Sequence, residues 1–107
     1  MKAFVTGGTG FIGRAVMRKL IERGYSVNAL ARSESGAERL RAIGAAVSLG
    51  DITDRESMRE GMLGSDVVFH IAGLYQFTPE ALARAESVNV DGTRNVLELA
   101  VESGIPR

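Results

Sequence analysis

The sequence predicts an α/β fold, a three-layer αβα arrangement around a parallel sheet of about four strands in the order 3-2-1-4. Three observations predict it. Short β-prone runs alternate with segments of helical period along the whole chain. A cluster of glycines occupies the first strand-to-helix junction. The fourth run, with Val67, Val68, Phe69 and Ile71, is almost continuously apolar, which suits a parallel strand covered on both faces.

The elements follow in order. Lys2 to Thr6 is a strand that ends abruptly in Gly7-Gly8-Thr9-Gly10. From Phe11 to Arg23 the period is helical, with Ile12, Val16 and Leu20 four apart, Ala15 beside them, and Arg14, Arg18 and Glu22 opposite. Gly24 stands where a helix ends in the left-handed conformation. Ser26 to Leu30 is the second strand, Ser35 to Ile43 a short helix closed by Gly44, and Ala46 to Leu49 the third strand. Asp54 is placed to N-cap a helix running to about Leu63, with Ser57 at its third position. Asp66 to Ile71 is the fourth strand and Ala72 to Thr78 a loop. A last helix begins at about Pro79 or Leu82, broken near its start, and reaches Ser103 before Gly104 and Pro106 stop it. Its apolar stripe is Val88, Gly92, Val96, Leu99 and Ala100, and its wet stripe Asp91, Arg94, Asn95, Glu98 and Glu102.

Composition narrows the function. The 107 residues form one expected domain, 1–107, able to bury somewhat more than ~60% of its unfolded surface. With 45% apolar and 24% charged residues, disorder is not expected. Thirteen basic residues balance thirteen acidic ones, which argues against a generic nucleic-acid or anionic-membrane binder. The absence of cysteine excludes a disulfide framework, a thiolate metal site and a thiol nucleophile, and a single histidine, His70, argues against a histidine metal site. No apolar stretch has the length of a signal-peptide core or a membrane span, so the expected compartment is the cytoplasm.

The glycines carry the chemistry. Gly7, Gly10 and Gly13 lie at three-residue spacing between strand and helix, the arrangement of a Rossmann-type dinucleotide loop. Gly7 permits the tight turn, Gly10 lets a pyrophosphate approach the backbone, and Gly13 lets the helix pack close to the sheet. The helix N-terminus then offers unpaired N–H groups and partial positive charge to the phosphates.

Thr6-Gly7-Gly8-Thr9-Gly10-Phe11-Ile12-Gly13 resembles the TGxxGxxG signature of the extended and atypical short-chain dehydrogenase/reductases, which include nucleotide-sugar epimerases and dehydratases, dihydroflavonol-type reductases and hydroxysteroid dehydrogenases. Three further stretches agree in order. Gly50-Asp51-Ile52 resembles the family's GD[IL], whose Asp contacts the adenine amino group and whose next residue meets the ring through its backbone. Phe69-His70-Ile71-Ala72-Gly73 resembles the turn that lines the cofactor's ribose and pyrophosphate. Asn89-Val90-Asp91-Gly92-Thr93-Arg94-Asn95 resembles NVxGTxN, whose first Asn organises the active-site loop. The resemblance thus implies cofactor contacts at Thr6 through Gly13, Asp51, Ile52, Ala72, Gly73 and Asn89. Taken alone, Asp51 is equally a turn residue, and His70 reads as structural rather than acid–base.

The family's Tyr-x-x-x-Lys pair, whose cation brings the tyrosine pKa toward neutrality, has no counterpart. The residues four beyond Tyr25 and Tyr75 are Ala29 and Pro79. No catalytic residue is therefore assigned. The expectation is the N-terminal, cofactor-binding part of a longer oxidoreductase or epimerase, ending where a fifth strand would start and inactive alone; the alternative is a non-catalytic or vestigial dinucleotide module. Where NAD-preferring domains carry an acid after the second strand, this chain has Ala31 followed by Arg32. A guanidinium pairs with a 2′-phosphate, and Arg14 on the first helical turn is within reach of it, so NADP is the expected cofactor, although some reductases with this pattern take NAD. The other reading of Arg32 is a solvated loop charge. A bare fourth-strand edge and the apolar face of the last helix, which in the family packs in a dimer interface, lead to an expected homodimer or larger assembly.

Overall fold

A computed structural model describes residues 1–71 and 87–106. Its elements are β1 (Lys2–Thr6), α1 (Phe11–Glu22), β2 (Ser26–Ala31), α2 (Glu34–Ile43), β3 (Ala46–Leu49), α3 (Arg55–Met62), β4 (Val67–His70), a π-helical turn (Ser87–Asp91) and α4 (Gly92–Glu102). The sheet has the order β3-β2-β1-β4, with every pairing parallel. The fold expected from the sequence is the fold observed. The expected loop Ala72 to Thr78 and the helix start at Pro79 or Leu82 lie outside the described residues.

Strand alternation builds the layers. Ala3 and Val5 of β1 join Val27, Ala29 and Ala31 of β2 on one face, against Met17 and Leu20 of α1 and Ala37 and Leu40 of α2. Phe4 and Leu30 point the other way, into Ile52, Met58 and Met62, and Val96 and Leu99 of α4. A period of two in the strands thus feeds two cores separated by one sheet.

Several local readings are corrected. The buried stripe of α1 is Gly13, Met17 and Leu20, one residue round from the expected Ile12–Val16–Leu20, and Ile12 is exposed. The α2 helix starts earlier than Ser35 because Ser33 caps it, its hydroxyl accepting the Gly36 N–H at 3.2 Å. Asp54 does occupy the N-cap of α3, but its carboxylate makes no capping bond. Ser57 organises that corner instead, accepting the Asp51 N–H at 3.0 Å and donating to the Asp54 carbonyl at 2.7 Å. β4 is half-buried along its whole length, since it forms an edge of the four-stranded sheet. Gly24 does end α1: with φ at 84°, its N–H reaches the Ile21 carbonyl and that of Tyr25 the Leu20 carbonyl, both at 3.0 Å.

On α4, Gly92, Val96 and Leu99 are buried as expected, while the side chain of Val88 lies outside the described residues. The wet stripe has partners. Arg55 pairs with Glu98 and with Glu102 (3.2 Å), and Arg59 with Glu56 (2.6 Å) and Glu102 (3.1 Å). The Arg59 guanidinium holds the Glu56 carboxyl below its ordinary range. Solvent screens these exposed pairs, so the network aligns α3 on α4 more than it stabilises them. Replacing Glu102 with Gln removes a partner from both arginines. A small fall in melting temperature is expected at low ionic strength, vanishing at about 1 M salt where the Debye length is ~3 Å; an equal loss at both salt levels would contradict it.

Candidate functional site

The carboxyl ends of the strands bring Gly7, Arg32, Gly50 and Ile71 to one edge of the sheet. That edge is where open α/β sheets hold ligands, at the point where the strand order reverses beside β1. The loop from Gly7 to Gly10 is a closed turn, the Gly10 N–H donating to the Gly7 carbonyl at 3.2 Å, with Gly7 at φ 77°.

The glycines turn out to do different things. A Cβ at Gly13 would overlap the Gly7 carbonyl oxygen and lie 2.7 Å from its carbon and 2.8 Å from Gly8 Cα. Gly13 thus admits the loop backbone rather than, as expected, the sheet. A Cβ at Gly8 would overlap Met17 Sδ and come within 3.1 Å of Leu40 Cδ2, so the core demands its smallness. Gly10 is the exception: it is exposed, and among the described residues its added Cβ would meet only the Gly7 carbonyl, at an ordinary 3.6 Å. As N-cap of α1 it has no side chain with which to cap the first-turn N–H groups. Phe11 and Ile12, which follow, are 84% and 66% exposed. Thr9 is half-buried, and its methyl lies where a Cβ on Gly36 of α2 would be in ordinary contact. Arg14 is half-buried in the first turn of α1, and Arg32 is exposed directly after β2.

Asp51 is half-buried, and its Oδ1 accepts from the N–H and the hydroxyl of Thr53, both at 3.0 Å. The turn role is therefore present. Ile52 is buried by its side chain, and its carbonyl accepts from Asn95 Nδ2 at 2.9 Å. Gly92 lies so close that a Cβ there would be 2.5 Å from Ile52 Cδ1. Sequence reasoning missed this clasp, although Gly92 and Asn95 belong to the stretch it singled out. Asn89 is exposed on the π-helical turn, and Ala72 and Gly73 lie outside the described residues.

His70 is held by both ring nitrogens, Nδ1 with Thr6 Oγ1 at 2.7 Å and Nε2 with Thr93 Oγ1 at 2.9 Å. The buried Thr6 hydroxyl also accepts the Ile71 N–H at 3.2 Å. A neutral imidazole, donor at one nitrogen and acceptor at the other, satisfies this chain, which ties β1, β4 and α4 together. A cavity lined by Asn28, Ser48, Leu49, Ser57, Glu60 and Gly61 lies between α3 and the β3 edge. Its amide and hydroxyl bond each other at 3.1 Å, and Asn28 donates to the Gly61 carbonyl at 2.8 Å.

Two outcomes follow from this geometry. Gly13→Ala should destabilise the fold by about 1–3 kcal/mol or more, because backbone must move to admit the methyl; denaturant unfolding measures it, and a change within ~0.5 kcal/mol would refute the close approach. Burial pushes the His70 imidazole below its ordinary 6.5. The unfolded chain then takes up the proton first on acidification. The contribution of neutral His70 is whole above pH 6.5 and is lost as the pH falls from there through the folded-state pKa. As the chain has a single histidine, a ring titration by NMR reads it directly, and a midpoint at or above 6.5 would contradict the argument.

Comparison with known proteins places this arrangement. A 4-hydroxy-2-methyl-3-oxo-4-farnesyl-3,4-dihydroquinoline-1-oxide ketoreductase of Stigmatella aurantiaca is 45% identical over all of this chain and 32% of its own length. A short-chain dehydrogenase/reductase superfamily protein from Agrobacterium tumefaciens, solved with bound NAD, superposes with a TM-score of 0.82 at 28% identity, over 98% of this chain and 30% of that one. UDP-glucose 4-epimerase of Thermotoga maritima, solved with UDP-glucose, gives 0.84 at 34% identity, over 98% and 35%. The chain therefore spans about a third of the length of the proteins it resembles. Residues 3–107 match the sequence model of one family, and the chain belongs to it: the NAD dependent epimerase/dehydratase family.

Proposed function

We propose that residues 1–107 form the dinucleotide-binding portion of a short-chain-type oxidoreductase or epimerase, which takes NADP(H) in preference to NAD(H) and turns over no substrate by itself. The observation that carries the proposal is the contrast among the glycines. Protein atoms account for the smallness of Gly8 and Gly13, but nothing among the described residues presses on Gly10. Open space there, above a helix N-terminus with no side-chain cap, fits a pyrophosphate held by backbone N–H groups. The first turn of α1 would hold the phosphates, Asp51 and the backbone of Ile52 the adenine, and Ala72 and Gly73 the ribose and pyrophosphate, with Asn89 organising the active-site loop. When bound, the nicotinamide accepts or supplies a hydride. The chain's own part is to bind and orient it, since no Tyr-x-x-x-Lys is present to move the proton.

Gly10→Ala separates ligand from fold. It should weaken NADPH binding about tenfold or more, ~1.4 kcal/mol, with little change in melting temperature. Binding left intact would remove the reason for the proposal.

Cofactor choice rests on the end of β2, where Ala31 leaves no carboxylate for a ribose 2′-hydroxyl and the exposed Arg32 follows. A charge-assisted pair contributes ~1.5–3 kcal/mol, so NADPH should bind roughly ten- to hundredfold more tightly than NADH. Arg32→Ala should abolish most of that preference and spare NADH affinity. Equal weakening of both cofactors would refute the assignment.

Self-association is expected along β4 and across α4, where Leu97 and Val101 are 59% and 78% exposed. Sedimentation at about 100 μM should show a dimer or larger species, because an unpaired strand edge recruits another. A purely monomeric profile would refute it.

A further inference from the structure

Glu34 is the one acidic residue in the turn and first helical positions from Arg32 to Gly36. It opens α2 two residues beyond Arg32, immediately after the Ser33 cap. Its carboxylate faces the far end of the helix: Arg41 Nη1 donates to Glu34 Oε1 at 2.8 Å, across seven residues. Two helical turns separate these positions by about 10 Å, and helical side chains lean toward the N-terminus, so Arg41 reaches down and Glu34 lies along the helix flank. A carboxylate at this first position has a competing attraction. Released, it would swing toward the neighbouring Arg32 guanidinium or the helix N-terminus, where negative charge is favoured.

We propose that Arg41 is a positioning residue for cofactor choice: by pairing with Glu34 it keeps that carboxylate away from the 2′-position and leaves Arg32 to bind the phosphate. This rests on the NADP(H) reading above. Arg41 touches no part of the ligand in this scheme. Both side chains are at least half exposed, so the effect is modest and screened by salt.

The adenosine half of the cofactor suffices as a probe. Adenosine 2′,5′-bisphosphate and 5′-AMP are titrated against the wild-type chain, Arg41→Ala, Glu34→Gln, the double variant and Arg41→Lys at low ionic strength. Wild type should favour the bisphosphate. Arg41→Ala should cut that preference about threefold, chiefly through weaker bisphosphate binding. Adding Glu34→Gln should restore it, and Arg41→Lys should retain most of it. A merely structural role would weaken both ligands together and would not be rescued by Glu34→Gln. The inference is overturned if wild type prefers the bisphosphate yet Arg41→Ala leaves the ratio unchanged, or if Glu34→Gln fails to rescue it. No preference in the wild type would instead overturn the NADP(H) reading, and this inference with it.

Discussion

The approach of the α1 first turn to the Gly7 backbone governs the carboxyl-terminal edge of the sheet. A Cβ on Gly13 would lie 2.7 Å from the Gly7 carbonyl carbon, so the turn and the helix touch backbone to backbone. This contact sets the position at which α1 begins, and with it the direction of the uncapped N–H groups beside Gly10. Thr6, one residue before the turn, is buried and bonded to β4 through His70 and the Ile71 N–H. The loop is therefore clamped on both sides. A preorganised backbone of this kind holds an anion without ordering any side chain, which lowers the entropy lost on binding.

The two faces of the sheet meet unlike partners. Toward α1 and α2 the strands present mostly alanine and valine, which lets those helices sit close. Toward α3 and α4 they present Phe4 and Leu30, with methionines filling the space between. Polar groups on that second side find partners: Asn28 with Ser48 and Gly61, Asn95 with Ile52, and Thr93 with His70. Each buried or half-buried amide or hydroxyl would otherwise cost about 1–3 kcal/mol. These bonds also tie α4 to β4 through Thr93 and to the Ile52 turn through Asn95.

The sequence made the architecture legible because strand and helix periods differ and the glycine loop marks their first junction. It also located the ends of the helices at Gly24, Gly44 and Gly104, where a single residue type decides the outcome. Faces were harder. Ile12 and Met17 are both apolar, and only packing shows that Met17 fills the space over Gly8 while Ile12 points to solvent. Asp54 reads as a cap by type, yet Ser57 takes the backbone bonds, a competition between neighbours that spacing does not express. The clasp of Gly92 and Asn95 on Ile52 joins residues some forty apart, and such pairs carry no local signal.

The central place of β1 has a kinetic side. Ala3 meets Val27 on one flank and Val67 on the other. Joining β1 to β4 closes a loop about 2.7 times longer than joining it to β2, which costs roughly 0.6 kcal/mol per doubling of length and about 0.9 kcal/mol in all. The β1–α1–β2 unit, with its glycine loop already turned, is thus the cheaper half to assemble, and β4 joins a scaffold that exists before it. During synthesis from the N-terminus the glycine turn can form well before the strand that clamps it through His70 has emerged.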